Sequence, residues 1–175
     1  MILETQRLYL RQLQESDAKR MSEYRCKEEV AKYQSWKKYT IEDAAKRIQH
    51  CLTITSFNKP KSDYHLAIIL KENDEMIGDL FVEVVNHKVF VLGYTLDSLY
   101  WSLGYATEIV SAFLEYMKET YKFKKAICYV YHDNIRSKKL LKKLHFVKMH
   151  ILPLVFGLLR CLLLYSLFFH MSNKK

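Results

Sequence analysis

After Gly104 the hydrophobic pattern of this chain changes period. Ala106, Ile109, Val110, Phe113, Leu114 and Met117 recur at steps of three and four, which is one face of an amphipathic helix. Ahead of Gly104 the period is two. Residues 3–13 alternate Leu8 and Leu10 with polar neighbours, residues 65–70 are an apolar strand, and residues 76–85 and 89–96 pair across Asn86-His87-Lys88 as an antiparallel hairpin. A strand that runs through a small-residue loop into the clearest helix of the chain requires a sheet with that helix packed on it. Beyond it, residues 125–131 are rich in β-formers and residues 135–144 read as a short amphipathic helix. The expectation is therefore a mixed α/β fold with a strand-to-helix crossover in its second half. Ser16-Asp17 is expected to cap a first helix, and Thr40 with Glu42 and Asp43 opens a second over residues 41–54. Residues 58–62 and 72–75 read as turns.

A length of 175 residues predicts one domain, 1–175. Half of the residues are hydrophobic and only four Gly and two Pro interrupt them, so a core can form and a disordered or collagen-like chain is excluded. Cys26, Cys51, Cys128 and Cys161 are far apart, with no C-x-x-C and no adjacent His pair. They predict buried thiols in a reducing compartment, with neither a zinc site nor a disulfide framework. The seven histidines show no metal-ligand spacing, so no metal is expected. Charges fall early in the N-terminal segment, where a secretory signal would be apolar, and a cytoplasmic protein is expected.

Residues 151–169 are nearly all apolar and admit two readings. By length they suffice for a membrane helix. Alternatively they are two strands buried on both faces, punctuated by Pro153 and Gly157. In that case Cys161, Leu163, Tyr165, Leu167 and Phe169 share one face of the last strand, with Leu162, Leu164, Ser166 and Phe168 on the other. The rest of the chain favours strands, and no membrane partner is expected.

Chemistry concentrates in Leu92-Gly93-Tyr94-Thr95-Leu96-Asp97 and Tyr100-Trp101-Ser102-Leu103-Gly104-Tyr105-Ala106-Thr107-Glu108. The first-turn amides of a helix lack partners inside it, so this helix start is a ready anion site, and small residues at 104 and 106 let a phosphate approach the backbone. From residue 118 to 148 there are ten Lys and Arg against Glu119 and Asp133 alone, which suits an anionic ligand. No stacking aromatics are interleaved with these charges and no nucleic-acid partner is expected.

The stretch Trp101-Ser102-Leu103-Gly104-Tyr105-Ala106 resembles the acyl-CoA-binding motif of the GCN5-related N-acetyltransferase (GNAT) family, Gln/Arg-x-x-Gly-x-Gly/Ala. The form Trp-x-x-Gly-Tyr-Ala-Thr-Glu is similar to the ribosomal-protein alanine and spermidine acetyltransferase branch. Three further stretches fit in order: Leu3-Glu4-Thr5-Gln6-Arg7-Leu8 with Arg11 and Asp17, Ile77-Gly78, and Asn134-Ile135-Arg136-Ser137 followed by Lys143-Leu144-His145-Phe146.

The resemblance implies a mostly antiparallel, twisted sheet of about seven strands flanked by helices, with the fourth and fifth strands parallel and splayed. It implies an enzyme that moves an acetyl group from acetyl-CoA to a primary amine, a small molecule or a peptide N-terminus, by direct sequential transfer. Leu103, Gly104, Tyr105, Ala106 and Thr107 would carry the pyrophosphate and backbone near Tyr94, Thr95 and Leu96 the pantetheine, with Asn134 hydrogen-bonding the pantetheine arm. Ser137 would face the sulfur and protonate it. Arg136, Lys138 and Lys139 are candidates for the nucleotide phosphates, while Glu83 and Glu108 are candidate bases. Glu108 also reads as a dipole-stabilised surface acid, Tyr165 as a packing residue and Cys128 as a core thiol. Several positions depart from the family pattern: Trp101 at the Gln/Arg position, Leu103 where a basic residue is usual, Val91 where relatives carry a glutamate, Leu141 in place of an acidic tyrosine, and His145 for a glycine. Those losses keep a second reading open, a chain that binds acyl-CoA or a partner without turnover. A third, a protein anchored by residues 151–169, depends on the tail, and a homodimer stays open.

Overall fold

The computed structural model describes residues 1–52, 57, 59–149 and 162–169. Eight strands form one sheet: β1 (Leu3–Glu4), β2 (Leu8–Gln12), β3 (Ser62–Leu70), β4 (Glu75–Asn86), β5 (Val89–Leu96), β6 (Lys125–Tyr131), β7 (Val147–Met149) and β8 (Leu162–Phe168). Their spatial order is β1-β2-β3-β4-β5-β6-β8-β7. The helices are α1 (Asp17–Arg25), α2 (Glu28–Ala31), α3 (Ile41–Leu52), α4 (Tyr105–Tyr121) and α5 (Ile135–Lys143).

The strand count exceeds the expected seven or so because the first strand is broken. Thr5 N donates to Leu8 O at 2.8 Å and Leu8 N to Thr5 Oγ1 at 3.1 Å, closing a turn inside the stretch expected to be continuous. Thr40 and Asp43 cap α3 reciprocally: Asp43 N donates to Thr40 Oγ1 and Thr40 N to the Asp43 carboxylate. Ser16 makes no such bond at α1. Asp17 takes over, accepting from Gln14 N at 2.7 Å and from both terminal nitrogens of Arg11 at 2.6 and 2.8 Å.

α4 buries Ile109, Val110, Phe113, Leu114 and Met117 against Leu8, Leu10, Ile68, Leu80, Val82, Phe90 and Leu92 on one face of the sheet. The opposite face, with Ala67 and Ile69, is covered by Met21 and Tyr24 of α1 and Ala44 and Ile48 of α3. Gly78 lets β4 lean on β5: a Cβ there would lie 2.3 Å from Thr95 O.

β5 and β6 are the parallel pair that the resemblance implied as strands four and five. Their register covers only Val89↔Lys125, Phe90↔Ala126 and Val91↔Ile127. Beyond it β5 continues to Leu96 on β4 and β6 to Tyr131 on β8 without pairing with each other, so the sheet opens between them.

β8 inserts antiparallel between β6 and β7. Leu163, Tyr165, Leu167 and Phe169 pack toward the core while Phe168, on the other face, is exposed. Residues 162–168 are thus strand, and the membrane-helix reading fails over this half. Pro153, Gly157 and Cys161 lie outside the described residues. No helix among the described residues is long and apolar enough to cross a membrane. Cys51 and Cys128 are buried as expected, but Cys26 is exposed because it sits at the outward end of α1, its thiol donating to Glu23 O.

Under α1 the sheet holds a charged cluster. The Arg25 guanidinium, 3% exposed, meets Asp79, 1% exposed, at 2.5 and 3.1 Å. Tyr24 donates to the same carboxylate at 2.5 Å and His65 Nδ1 lies 3.0 Å from it. Burial opposes the charge on Asp79, but Arg25 and His65 outweigh it and hold its carboxyl well below the ordinary carboxylate range. Burial also lowers the pKa of His65, which stays neutral at physiological pH. Both shifts are downward, so the unfolded chain binds more protons in acid and stability falls with falling pH. The loss is expected to begin as pH drops below ~6.5 through His65 and to steepen below ~4 as Asp79 is titrated, which denaturant midpoints from pH 8 to 3 would measure.

Candidate active site

A cleft of about 440 Å³ lies where β5 and β6 part. It is lined from both faces of the sheet. Tyr94, on the α4 and α5 side, faces Ser137, Asn134 and Leu140 of the α5 segment. Thr95, on the other side, faces Val30, Tyr33 and Gln34 at and after α2, and Gln34 Nε2 reaches Thr95 Oγ1 at 3.4 Å. Gly104, Tyr105, Ala106 and Thr107 close one end.

That end is the start of α4. Gly104 is its N-cap with φ +86°, a left-handed conformation that a residue with a Cβ adopts only with strain, and no side chain caps the helix there. The first intrahelical bond runs from Glu108 N to Gly104 O at 3.0 Å, which leaves the Tyr105, Ala106 and Thr107 amides without an intrahelical acceptor. The loop before it is pinned by Trp101 Nε1, which donates to Leu96 O at 2.9 Å, and by Asp97. Asp97, fully buried, accepts from Leu99 N and pairs with Arg20 and Lys27. The loop is thereby tied to α1 and to the residue that opens α2.

At α5, Asn134 Oδ1 accepts from Ser137 N at 3.1 Å as the helix N-cap, which leaves its amide NH2 free for another partner. The Ser137 hydroxyl sits 2.7 Å from the Tyr94 hydroxyl. Burial pushes the Tyr94 phenol well above its ordinary pKa, so it stays protonated.

A family model, the acetyltransferase (GNAT) domain, matches residues 7–147. The chain belongs to the GNAT family of acetyltransferases. It is 29% identical over 150 residues to an uncharacterized N-acetyltransferase, YoaA, of Bacillus subtilis (strain 168), covering 84% of this chain and 83% of the relative. Its fold is similar to a GNAT-family acetyltransferase from Bacillus anthracis, with a TM-score of 0.82 at 19% identity over 96% of this chain and 98% of the other. It also resembles RimL, a ribosomal L7/L12 alpha-N-protein acetyltransferase solved in complex with coenzyme A, with a TM-score of 0.79 at 17% identity over 95% and 97% of the two chains.

Tyr94, Thr95, Leu96, Gly104, Tyr105, Ala106, Thr107, Asn134 and Ser137 all line the cleft, as do Arg136 and Lys139. Leu103 and Lys138 do not. Leu103 is half exposed and its carbonyl accepts from Arg7, while Lys138 stands on α5 beyond the lining residues. Glu83 is exposed on β4 opposite Asp63 and Val91, outside the cleft. Glu108 is committed elsewhere, accepting from Thr5 Oγ1 at 2.6 Å, Arg7 N at 2.9 Å and Arg7 Nε at 2.7 Å. Burial works against its charge, but these donors outweigh it and lower its pKa. Leu141 and Tyr165 are core residues, and burial raises the Cys128 thiol far above its usual value, so it is a poor nucleophile.

The α2 side of the cleft is not legible in the sequence. Glu29, Val30, Tyr33 and Gln34 carry no motif, and α2 is only four residues long. Tyr94, expected to contribute backbone, contributes its side chain, and its period-two place beside Leu92 and Leu96 is the signal that puts it on the α5 face.

Proposed function

We propose that this GNAT protein transfers the acetyl group of acetyl-CoA directly to a primary amine within a ternary complex. The observation that carries the reading is the opening between β5 and β6, lined from both faces of the sheet and ending on the uncapped amides of α4. A donor and an acceptor can enter such an opening from opposite sides, and direct transfer needs that arrangement. RimL, whose structure holds coenzyme A, shares the fold and supports the donor assignment.

In this reading the amides of Tyr105, Ala106 and Thr107 hold the pyrophosphate, with Arg136 and Lys139 beside it, and Asn134 donates its free NH2 to the pantetheine arm. The amine enters from the side of Tyr33, Gln34 and Thr95. Its lone pair attacks the thioester carbon, the carbon–sulfur bond breaks, the sulfur leaves as a thiolate and the ammonium proton passes to water. Ser137, backed by Tyr94, hydrogen-bonds the departing sulfur. A thiol pKa of ~8.5 lies below that of a buried phenol, so the pair stabilises the thiolate by donation and full proton transfer is not required. With Glu108 held by Arg7 and Glu83 outside the cleft, neither carboxylate is assigned as base. The acceptor class comprises small amines and peptide N-termini.

Two substitutions separate these roles. Asn134→Ala is expected to weaken acetyl-CoA binding by the value of one hydrogen bond, ~0.5–1.5 kcal/mol, in a calorimetric titration. Ser137→Ala should leave that affinity nearly unchanged and lower kcat by ~10–100-fold, the value of one hydrogen bond to a developing charge, and equal turnover in the two proteins would retire its role. The reading as a whole is tested by free-thiol release from acetyl-CoA with a panel of peptide N-termini, polyamines and small amines, followed by an initial-rate grid. Intersecting lines are expected; parallel lines would indicate a covalent intermediate. Acetyl-CoA binding with no transfer to any amine would favour the alternative of a binding protein without turnover.

A further inference from the structure

The helix start read above as a pyrophosphate site has an electrostatic problem of its own making. Glu108 is the fourth residue of α4, so a full negative charge stands in the first turn that an anion would approach. Leu103, in the position before Gly104, brings no compensating cation.

The compensation comes from the opposite end of the chain. The turn after β1 presents Arg7 to α4, and its Nε and Nη2 both lie 2.7 Å from Glu108 Oε2. Its Nη1 donates to Leu103 O at 3.1 Å, and the guanidinium lies over the Tyr105 ring, 4.4 Å from the centroid. A Cβ placed on Gly104 would be 3.4 Å from Arg7 Nη2, so the cation sits directly above the glycine of the turn. The side chain is 41% exposed, against 18% for Glu108, which puts the positive partner toward solvent and the negative one beneath it. Its backbone is fixed as well: Arg7 N donates to Glu108 Oε1 and Lys71 N donates to Arg7 O at 2.9 Å.

We infer that Arg7 is a positioning residue for the phosphate-binding turn, screening Glu108 from the bound pyrophosphate and fixing residues 103–105 so that the α4 amides face it. The inference rests on the reading of that turn as the CoA pyrophosphate site. It assigns the charge that Leu103 lacks to a residue remote in sequence, and it explains why an acid is tolerated at a helix end that binds anions. A guanidinium can do both jobs at once, because Nε and Nη2 neutralise one carboxylate oxygen while Nη1 holds the Leu103 carbonyl.

The test uses the full chain and four variants: Arg7→Met, Arg7→Lys, Glu108→Gln and the double variant Arg7→Met/Glu108→Gln. Acetyl-CoA affinity is measured by calorimetry at low and high salt, alongside thermal unfolding without ligand. Arg7→Met should weaken binding by about 10–100-fold at low salt, a loss that shrinks as ionic strength rises and the exposed Glu108 is screened. Glu108→Gln should tighten binding several-fold, the double variant should recover the part of the affinity that Arg7→Met loses to the unscreened Glu108, and Arg7→Lys should fall between Arg7→Met and wild type. S-acetylpantetheine, which carries no phosphate, should lose far less than acetyl-CoA in Arg7→Met. Wild-type affinity in Arg7→Met, or a double variant as weak as the single one, would overturn the inference. Should Arg7→Met fail to fold, a weaker Glu108→Gln would overturn it alone. Failure of the wild-type chain to bind acetyl-CoA would instead overturn the reading of the turn, and this inference with it.

Discussion

Arg25→Ala should lower the unfolding free energy by ~3–5 kcal/mol, because it leaves the Asp79 carboxylate buried without its main partner. For a chain of this length that corresponds to a melting temperature lower by roughly 6–20 °C, read by calorimetry or by the denaturant midpoint. The effect reaches beyond the pair. Arg25 lies against the rings of Trp36 and Tyr39 at 4.5 and 4.8 Å, and Trp36 Nε1 donates to Arg25 O, so the guanidinium also seats the segment that follows Tyr33 and Gln34. Arg25→Lys keeps the charge but loses the flat two-point contact and should recover only part of the stability. A change below ~1 kcal/mol in Arg25→Ala would mean that the cluster is solvated and contributes little.

Gly104→Val is the second large effect, and it falls on binding. The φ of +86° at Gly104 strains any branched side chain, at a cost of ~1–3 kcal/mol, and the new Cβ would crowd Arg7. The turn relaxes by moving the very amides that would meet the pyrophosphate. Losing two such charge-assisted bonds is worth roughly 3–4 kcal/mol, so acetyl-CoA affinity should drop by ~10²–10³-fold while α4, anchored by its buried face, persists in the circular dichroism spectrum. Unchanged affinity would place the cofactor elsewhere.

The parts of this fold that were legible in the sequence are those where local pattern and burial coincide. β6 runs over the same Lys125–Tyr131 that its β-rich composition marked out, and α4 buries five of the six residues that its period placed on one face, with Ala106 lining the cleft instead. The break between β1 and β2 was not legible, because Thr5 closes that turn through its amide and its side chain and no Gly or Pro marks it. Cys26 was expected inside on residue type alone, whereas its place at the end of α1 decides its exposure.

The site divides the same way. Its α4 and α5 halves are short contiguous motifs, and eleven of the thirteen residues expected to bind the cofactor do line the cleft, all but Leu103 and Lys138. The pairing of Tyr94 with Ser137 and of Arg7 with Glu108 joins residues far apart in the chain through the sheet, and no spacing rule announces such contacts. Glu108 shows the consequence. Seen in sequence it is an acid in the catalytic motif, and in the fold it is held by three donors from the other end of the chain.

A crystal structure of the protein grown with coenzyme A measures directly where the cofactor sits. It should show the pyrophosphate on the amides of Tyr105, Ala106 and Thr107, the pantetheine passing between β5 and β6 with Asn134 beside it, and the sulfur within hydrogen-bonding reach of Ser137. Coenzyme A bound outside the opening between β5 and β6, or with its phosphates away from the start of α4, would contradict this placement.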